Sequence, residues 1–188
     1  TTKNSTAVIM RDVLIALLPA VIAGCVVFGL RALLVVAVTT AACVFFEWGF
    51  EKLCHTPSTI SDLSAAVTGV LLAMNLPVSI PLWQAVFGAL VAIVAVKGLF
   101  GGIGKNFMNP ALSARAFLMS FPVIMTTWPA IRTKLPLFAT PDVVSSATPL
   151  ASLKQGMMPN ASLTDLALGM VGGSMGEISA LALLAGGL

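Results

Sequence analysis

Apolar residues fall into long runs along this chain, separated by short polar, glycine-rich or proline-rich stretches. A helix needs about 20 apolar residues, at about 1.5 Å each, to cross roughly 30 Å of hydrocarbon. Five runs reach or approach that length. The first extends from about Val13 to Phe28 and the second from about Ala32 to Phe50, with only Gly29-Leu30-Arg31 between them, which forces a tight antiparallel pair. Glu47, Glu51 and Lys52 then mark an aqueous face. The third run, from about Leu63 to Leu76, opens with Ser61-Asp62, which sets a carboxylate at the positive end of the helix, and Pro77 and Pro81 stop it. The fourth extends from about Leu82 to Phe100. The fifth, from about Pro110 to Met125, is opened by Asn109-Pro110, an N-cap followed by proline at the first helical position. The pattern predicts an all-α, polytopic membrane protein with about five complete transmembrane helices that alternate in direction.

Beyond Met125 the pattern changes. The segment from about Thr126 to Met170 is too polar for lipid and reads as a long outer loop, followed by Val171-Gly-Gly-Ser-Met-Gly-Glu177 and a small apolar run from Ile178 to Leu188. Eleven residues do not span a bilayer, so that run is expected to be the start of a sixth helix and the chain the front part of a longer protein. The predicted organisation is a membrane domain over 1–127, an extracytoplasmic loop over 128–170 and a truncated helix over 171–188.

Composition supports this pattern. Of 188 residues 58% are hydrophobic and 9% charged, with a mean hydropathy of +1.02, whereas soluble domains carry about 25% charged residues. So few charges would not cover a soluble core, and the apolar excess must face lipid or partner proteins. The net charge of +3 is too small and too scattered to indicate nucleic acid. Cys25, Cys43 and Cys54 show no C-x-x-C spacing and read as small apolar residues rather than cluster or disulfide ligands. The first run lacks a cleavage site and reads as a permanent span. Under the alternation, Lys3 and Arg11, Lys52 and His55, and Lys97 and Lys105 share one face, while Arg31 and the uncharged Pro77 to Pro81 loop share the other. The first face should be cytoplasmic, with the 128–170 segment outside.

Two places carry candidate chemistry. The first is the turn Gly98-Leu99-Phe100-Gly101-Gly102-Ile103-Gly104-Lys105-Asn106-Phe107-Met108-Asn109-Pro110. Its glycines permit positive φ and close approach of a ligand, and such turns can aim several N–H groups at one acceptor. It is neither a P-loop, because Leu99 stands where the first glycine belongs and Asn106 where the hydroxyl belongs, nor a dinucleotide fingerprint, because the pattern from Gly102 ends at Phe107. Asn106 and Asn109 supply donors and acceptors that suit the edge of a heterocycle; helix capping and tight turning remain the alternative. Arg115 lies one to two turns into an apolar span, where an ionisable residue is a functional candidate. The second place is Asp142-Val-Val-Ser145-Ser146-Ala147-Thr148-Pro149-Leu150. A threonine hydroxyl is a poor nucleophile without activation, so a covalent role for Thr148 would have to be installed by another enzyme. The alternative is a turn leading into a helix. Asp62, Glu47, Glu51 and Glu177 lie near membrane faces, where helix capping or interfacial solvation competes with contact to an ion.

The runs Asp62-Leu-Ser-Ala-Ala-Val-Thr-Gly-Val-Leu-Leu-Ala-Met-Asn-Leu-Pro77, Gly101-Gly-Ile-Gly-Lys-Asn-Phe-Met-Asn-Pro-Ala-Leu112 and Ser145-Ser-Ala-Thr-Pro-Leu150 occur in this order. Together they closely resemble the RnfD/NqrB family, formed by RnfD of the bacterial Rnf complex, an ion-moving ferredoxin:NAD+ oxidoreductase, and NqrB of the sodium-pumping NADH:quinone oxidoreductase. The likeness covers essentially the whole chain. It implies FMN joined to Thr148 by a phosphoester bond, within the motif that includes Ser145 and Ser146, and installed by a flavin transferase using FAD. Ser146 stands where relatives often have glycine. The resemblance also implies a non-covalent riboflavin near Asn106 and Asn109, with Gly101, Gly102 and Arg115 as neighbours, and an electron path across the bilayer between the two flavins. It implies no NAD site in this chain, no nucleic-acid partner, and a place beside RnfA, RnfB, RnfC, RnfE and RnfG, with RnfG, the other covalent-FMN component, foremost. Residence in lipid, in the bacterial inner membrane, is implied as well. The resemblance further implies coupling to Na+ or H+ translocation. A small-solute or ion transporter component without flavin is the rival reading.

Overall fold

The computed structural model describes residues 5–106, 108–121, 125, 137, 149–158, 162–169, 173–176 and 179–187, and among them there is no strand. Helix α1 (Thr6–Phe28) and helix α2 (Leu30–Cys54) form the expected pair. Gly29 turns the chain at φ 76°, a value that favours glycine, and its N–H bonds to the Cys25 carbonyl at 2.8 Å. With 23 and 25 residues, these two helices are long and apolar enough to cross a membrane.

The other expected spans are shorter. Helix α3 (Ser64–Met74) has 11 residues and follows a 3-10 turn at Ile60–Asp62; the Asp62 carboxylate accepts the Ser64 N–H at 2.8 Å across Leu63, which sits at φ 63°. The carboxylate expected at the start of this helix is therefore in place, with the helix beginning two residues later. Helix α4 (Leu82–Leu90) continues as a π-helix over Val91–Gly98, and helix α5 (Pro110–Leu118) ends after nine residues. Short helices are compatible with lipid depth where protein covers them. Most of α3 is buried, including Ala65, Val67, Gly69, Leu72 and Ala73.

Helix α2 is the central element, packed against α1, α3 and α4, while α5 packs on the π-helical end of α4. The main core joins Val35, Leu72, Leu76, Ile80, Ala85 and Leu118, and a smaller cluster joins Cys43, Ala65, Ala89 and Ile93. At Gly69 an added Cβ would lie 2.6 Å from the Thr40 Cα, so α2 and α3 touch backbone to backbone. Outward, α1 shows Ile15, Leu18, Ile22 and Val26, and α2 shows Phe45 and Trp48; such an apolar exterior belongs against lipid or protein. Of the cysteines, Cys43 is buried, Cys25 is partly buried and Cys54 is exposed, all free.

The segment expected as a long outer loop contains helix α6 (Pro149–Lys154), at the place where the sequence offers a turn leading into a helix, and helix α7 (Leu163–Leu168). The reason at α7 is a capping box: Ser162 accepts the Asp165 N–H at 3.1 Å while the Asp165 carboxylate takes the Ser162 N–H at 3.1 Å. The Ser162 hydroxyl also donates to the Asp165 carboxylate at 2.6 Å, and this bond foremost, with that of the Ser162 N–H, holds the Asp165 carboxyl below the usual carboxylate range. Helix α8 (Ala180–Gly187) forms where a sixth helix was expected to start and lies against α1, with Gly186 meeting the Ala16 carbonyl.

Candidate functional site

Polar groups gather at two ends of the bundle, separated by roughly 24 Å along α2 between Arg31 and Glu47, at about 1.5 Å per residue. At one end Arg31, 2% exposed, donates through Nε to the Val78 carbonyl (3.0 Å), through Nη2 to Ile80 (3.0 Å) and through Nη1 to Leu137 (2.7 Å). From the sequence, Arg31 is expected on an aqueous face. It is buried instead, because the proline-rich connection between α3 and α4 leaves carbonyls without helical partners and the planar guanidinium fork satisfies them.

At the opposite end Glu47 and Glu51, one turn apart on α2, meet Lys97 from the π-helical segment of α4. Lys97 Nζ pairs with Glu47 Oε1 and donates to Ser64 Oγ at 2.5 Å. Thr59, in the connection after α2, donates its N–H and its hydroxyl to Glu51 Oε1, each at 2.6 Å, and its Oγ1 stands 3.1 Å from Glu47 Oε1. Glu47, Glu51 and Lys97 are all buried. These three were expected at an aqueous face and are not; facing one another across α2, α4 and the connection between α2 and α3 removes them from water. They line a cavity of about 400 Å³ whose wall also includes Thr59, Asp62, Gly98 and Gly101 to Ile103.

The glycine turn thus forms one wall of this cavity through Gly101 (φ 91°) and Gly102 (φ 90°). At Gly102 and at Gly104 (φ 80°) nothing lies within 4 Å of an added Cβ, so the turn is open on its outer side. Asn106 is taken up by the backbone: with its amide nitrogen turned toward the carbonyls, it donates to Val96 at 3.2 Å and Gly102 at 3.3 Å. Asn109 caps α5, its Oδ1 accepting from the N–H groups of Ala111 (2.9 Å) and Leu112 (3.3 Å). Neither asparagine lines the cavity. Arg115, on α5, donates to Asn75 Oδ1 at 2.7 Å, at the end of α3. Asn75 in turn donates to the Leu71 carbonyl at 2.8 Å.

Ser145, Ser146 and Thr148 lie outside the described residues, as does Glu177; helix α6 begins at Pro149, immediately after Thr148. Three pairings have no counterpart among the expectations drawn from the sequence: Lys97 with Glu47, Thr59 with Glu51, and Asn75 with Arg115. The signals that point toward them are the i, i+4 spacing of Glu47 and Glu51 and the lone lysine closing an apolar run.

Comparison with known proteins matches the whole of residues 1–188 to the family described as NQR2, RnfD, RnfE. The chain is 50% identical, over 99% of its length, to a protein of Acetobacterium woodii named as the D component of a Na(+)-translocating ferredoxin:NAD(+) oxidoreductase complex, of which it covers 58%. It is 40% identical, over 98% of its length, to the D component of the proton-translocating ferredoxin:NAD(+) oxidoreductase complex of Clostridium ljungdahlii, covering 57% of that protein. It is 36% identical, over 95% of its length, to the D component of the ion-translocating oxidoreductase complex of Rhodobacter capsulatus, again covering 57%. The chain therefore spans somewhat more than half the length of these relatives.

Proposed function

The chain belongs to the NQR2, RnfD, RnfE family, and from that premise we propose that it is the RnfD component of an Rnf-type ferredoxin:NAD+ oxidoreductase, which couples electron transfer to Na+ or H+ movement. The observation that carries this reading is 50% identity, across 99% of the chain, to a protein bearing the name of that component. In this reading the chain crosses the bacterial inner membrane five times with a sixth crossing beginning near α8. Its N-terminus is cytoplasmic and the Thr148 segment extracytoplasmic. RnfA, RnfB, RnfC, RnfE and RnfG are its partners, and a flavin transferase acts on it during maturation.

Thr148 would hold FMN by its phosphate, and Asn106 and Asn109 would stand beside a riboflavin. A bound flavin supplies one- and two-electron redox chemistry, and the chain's residues supply position. The support for Thr148 is its motif, Ser145-Ser-Ala-Thr-Pro. Support for the second flavin comes from the local chemistry of the glycine turn, which fits the edge of a heterocycle. Gly102 and Gly104 leave open space, and backbone contacts pin both asparagine amides in fixed orientations. Oδ1 of Asn109 is committed to the α5 cap, so its Nδ2 is the group that would meet a ring acceptor. Arg115, held by Asn75, would keep a fixed positive charge on the same helix.

The test is fluorescence of the chain on a denaturing gel after coexpression with the transferase. A fluorescent band in the parent protein that disappears in Thr148→Ala is the expected result. A parent protein with no band refutes the covalent carrier and leaves a flavin-free transporter component as the better reading.

A further inference from the structure

The exterior of α2 is not uniform. Along its C-terminal half a groove of about 650 Å³ is lined by Ala37, Ala41, Val44, Phe45 and Trp48, with Ile60 from the 3-10 turn beside them. It shares no lining residue with the cavity around Glu47 and Lys97. The α2 positions recur at three and four residues, so they share one face of the helix. Ala37 and Ala41 leave room because each projects only a methyl group, while the rings of Phe45 and Trp48, with centroids 6.0 Å apart, stand exposed. Lys52, one turn beyond Trp48, holds its ammonium 5.0 Å from the centre of the Trp48 ring. Lys52 and His55, the residue that caps α2, are both exposed. The carboxylates of this end are turned to other partners: Glu47 and Glu51 are buried against Lys97 and Thr59, and Asp62 is engaged with the start of α3. The charge offered outward at this end of the groove is therefore positive.

We infer that this groove holds an acyl chain of an anionic phospholipid whose phosphate meets Lys52. Trp48 is then an interfacial ring, its apolar body against the chain, and Lys52 reaches over it to the headgroup. From Ala37 to Trp48 the groove extends about 16 Å along the helix, at about 1.5 Å per residue. One leaflet of hydrocarbon is roughly 15 Å deep, half of roughly 30 Å. A groove that stops at the depth of one leaflet and ends at a cation matches a lipid in both length and charge. A partner's transmembrane helix fits less well: it is about 10 Å across and needs a contact line through the whole bilayer, and the projecting Phe45 and Trp48 rings leave it no flat bed. A second exterior groove, of about 450 Å³ between Phe46, Trp83, Phe87 and Phe121, is equally apolar, but among the described residues no cation stands over its rings. That groove has no means of selecting an anion. The cytoplasmic leaflet is the anionic one, and the orientation proposed above sets Lys52 there; the inference rests on that membrane reading and not on the flavins.

The probe is phosphatidylglycerol with a photoactivatable diazirine in its acyl chain, carried in phosphatidylcholine vesicles that contain the purified whole complex. After irradiation the adducts on this chain are mapped by peptide mass spectrometry. Labelling over residues 37–48 is expected to be about fivefold stronger than with the phosphatidylcholine form of the same probe, the factor expected of one lysine near an anionic lipid. Ala41→Trp fills the groove and should remove most of that labelling. Lys52→Gln should leave the chain contact and abolish the preference for phosphatidylglycerol. If Ala41→Trp fails to assemble, Ala37→Leu is read in its place. Equal labelling by the two headgroups in the parent complex overturns the site, as does labelling that Ala41→Trp leaves unchanged. No adduct over residues 37–48 in the intact complex also overturns it and makes that face a contact with another protein. Gel fluorescence on the same samples reads the flavin separately, so either idea can fail while the other stands.

Discussion

Replacing Lys97 by methionine removes the cation from the buried cluster while keeping most of the side-chain volume. In the parent protein the Lys97 and Glu47 side chains are each only 6% exposed, and Lys97 also donates to Ser64. The variant leaves Glu47 buried one helical turn from Glu51 with no protein cation facing either. Breaking a buried ion pair from one side costs about 3–5 kcal/mol. For a chain of this size each kcal/mol moves the melting temperature by about 2–4 °C, so Lys97→Met should lower it by about 6–20 °C. The double variant Lys97→Met/Glu47→Gln removes both charges and should recover most of the loss, because an apolar or neutral replacement of a buried pair is often neutral. The assay is thermal unfolding of the detergent-solubilised protein in choline buffer, followed by size-exclusion fluorescence, with the single and double variants run as a cycle. A cost below about 1 kcal/mol for Lys97→Met, or a coupling within about 0.5 kcal/mol of zero, would refute the pairing.

Two further substitutions separate structural from functional roles at the other sites. Asn109→Ser keeps an N-cap acceptor for Ala111 and Leu112 but deletes the amide donor; it should leave stability within a few tenths of a kcal/mol of the parent and reduce the non-covalent flavin released by acid. Asn109→Ala should cost about 0.5–2 kcal/mol as well, and equal flavin release from Asn109→Ser and the parent would leave Asn109 a cap only. Arg31→Lys keeps the charge but not the fork that reaches the Val78, Ile80 and Leu137 carbonyls; losing two of those three bonds should cost about 3 kcal/mol or more and speed proteolysis near Pro77 to Pro81. A melting temperature within about 2 °C of the parent would count against Arg31 as the fastener of that connection.

The two long helices and the α5 start are readable from the sequence because each depends on neighbours in the chain: an unbroken apolar run, a glycine between two helices, an asparagine before a proline. The clusters at the two ends depend on residues 50 positions apart, as with Lys97 and Glu47, or 47 apart, as with Arg31 and Val78, and no local pattern encodes those meetings. Lys97 has an additional reason for being misread. At α-helical pitch it would sit about 120° round from buried Ala85, at the rim of the apolar face, which is where a lysine near a membrane surface is ordinarily placed. The π-helix over Val91–Gly98 winds with more residues per turn, its ladder ending with the Leu99 N–H on the Val94 carbonyl at 3.1 Å. Each of its residues advances less around the axis, so Lys97 is carried back toward the face that holds Ala85, Ala89 and Ala92. Asn106, with its amide nitrogen turned inward, donates to the Val96 carbonyl in the last turn of that segment. The change of helical pitch thus accounts for the burial of Lys97 beside Glu47, in the cavity that the glycine turn closes on one side.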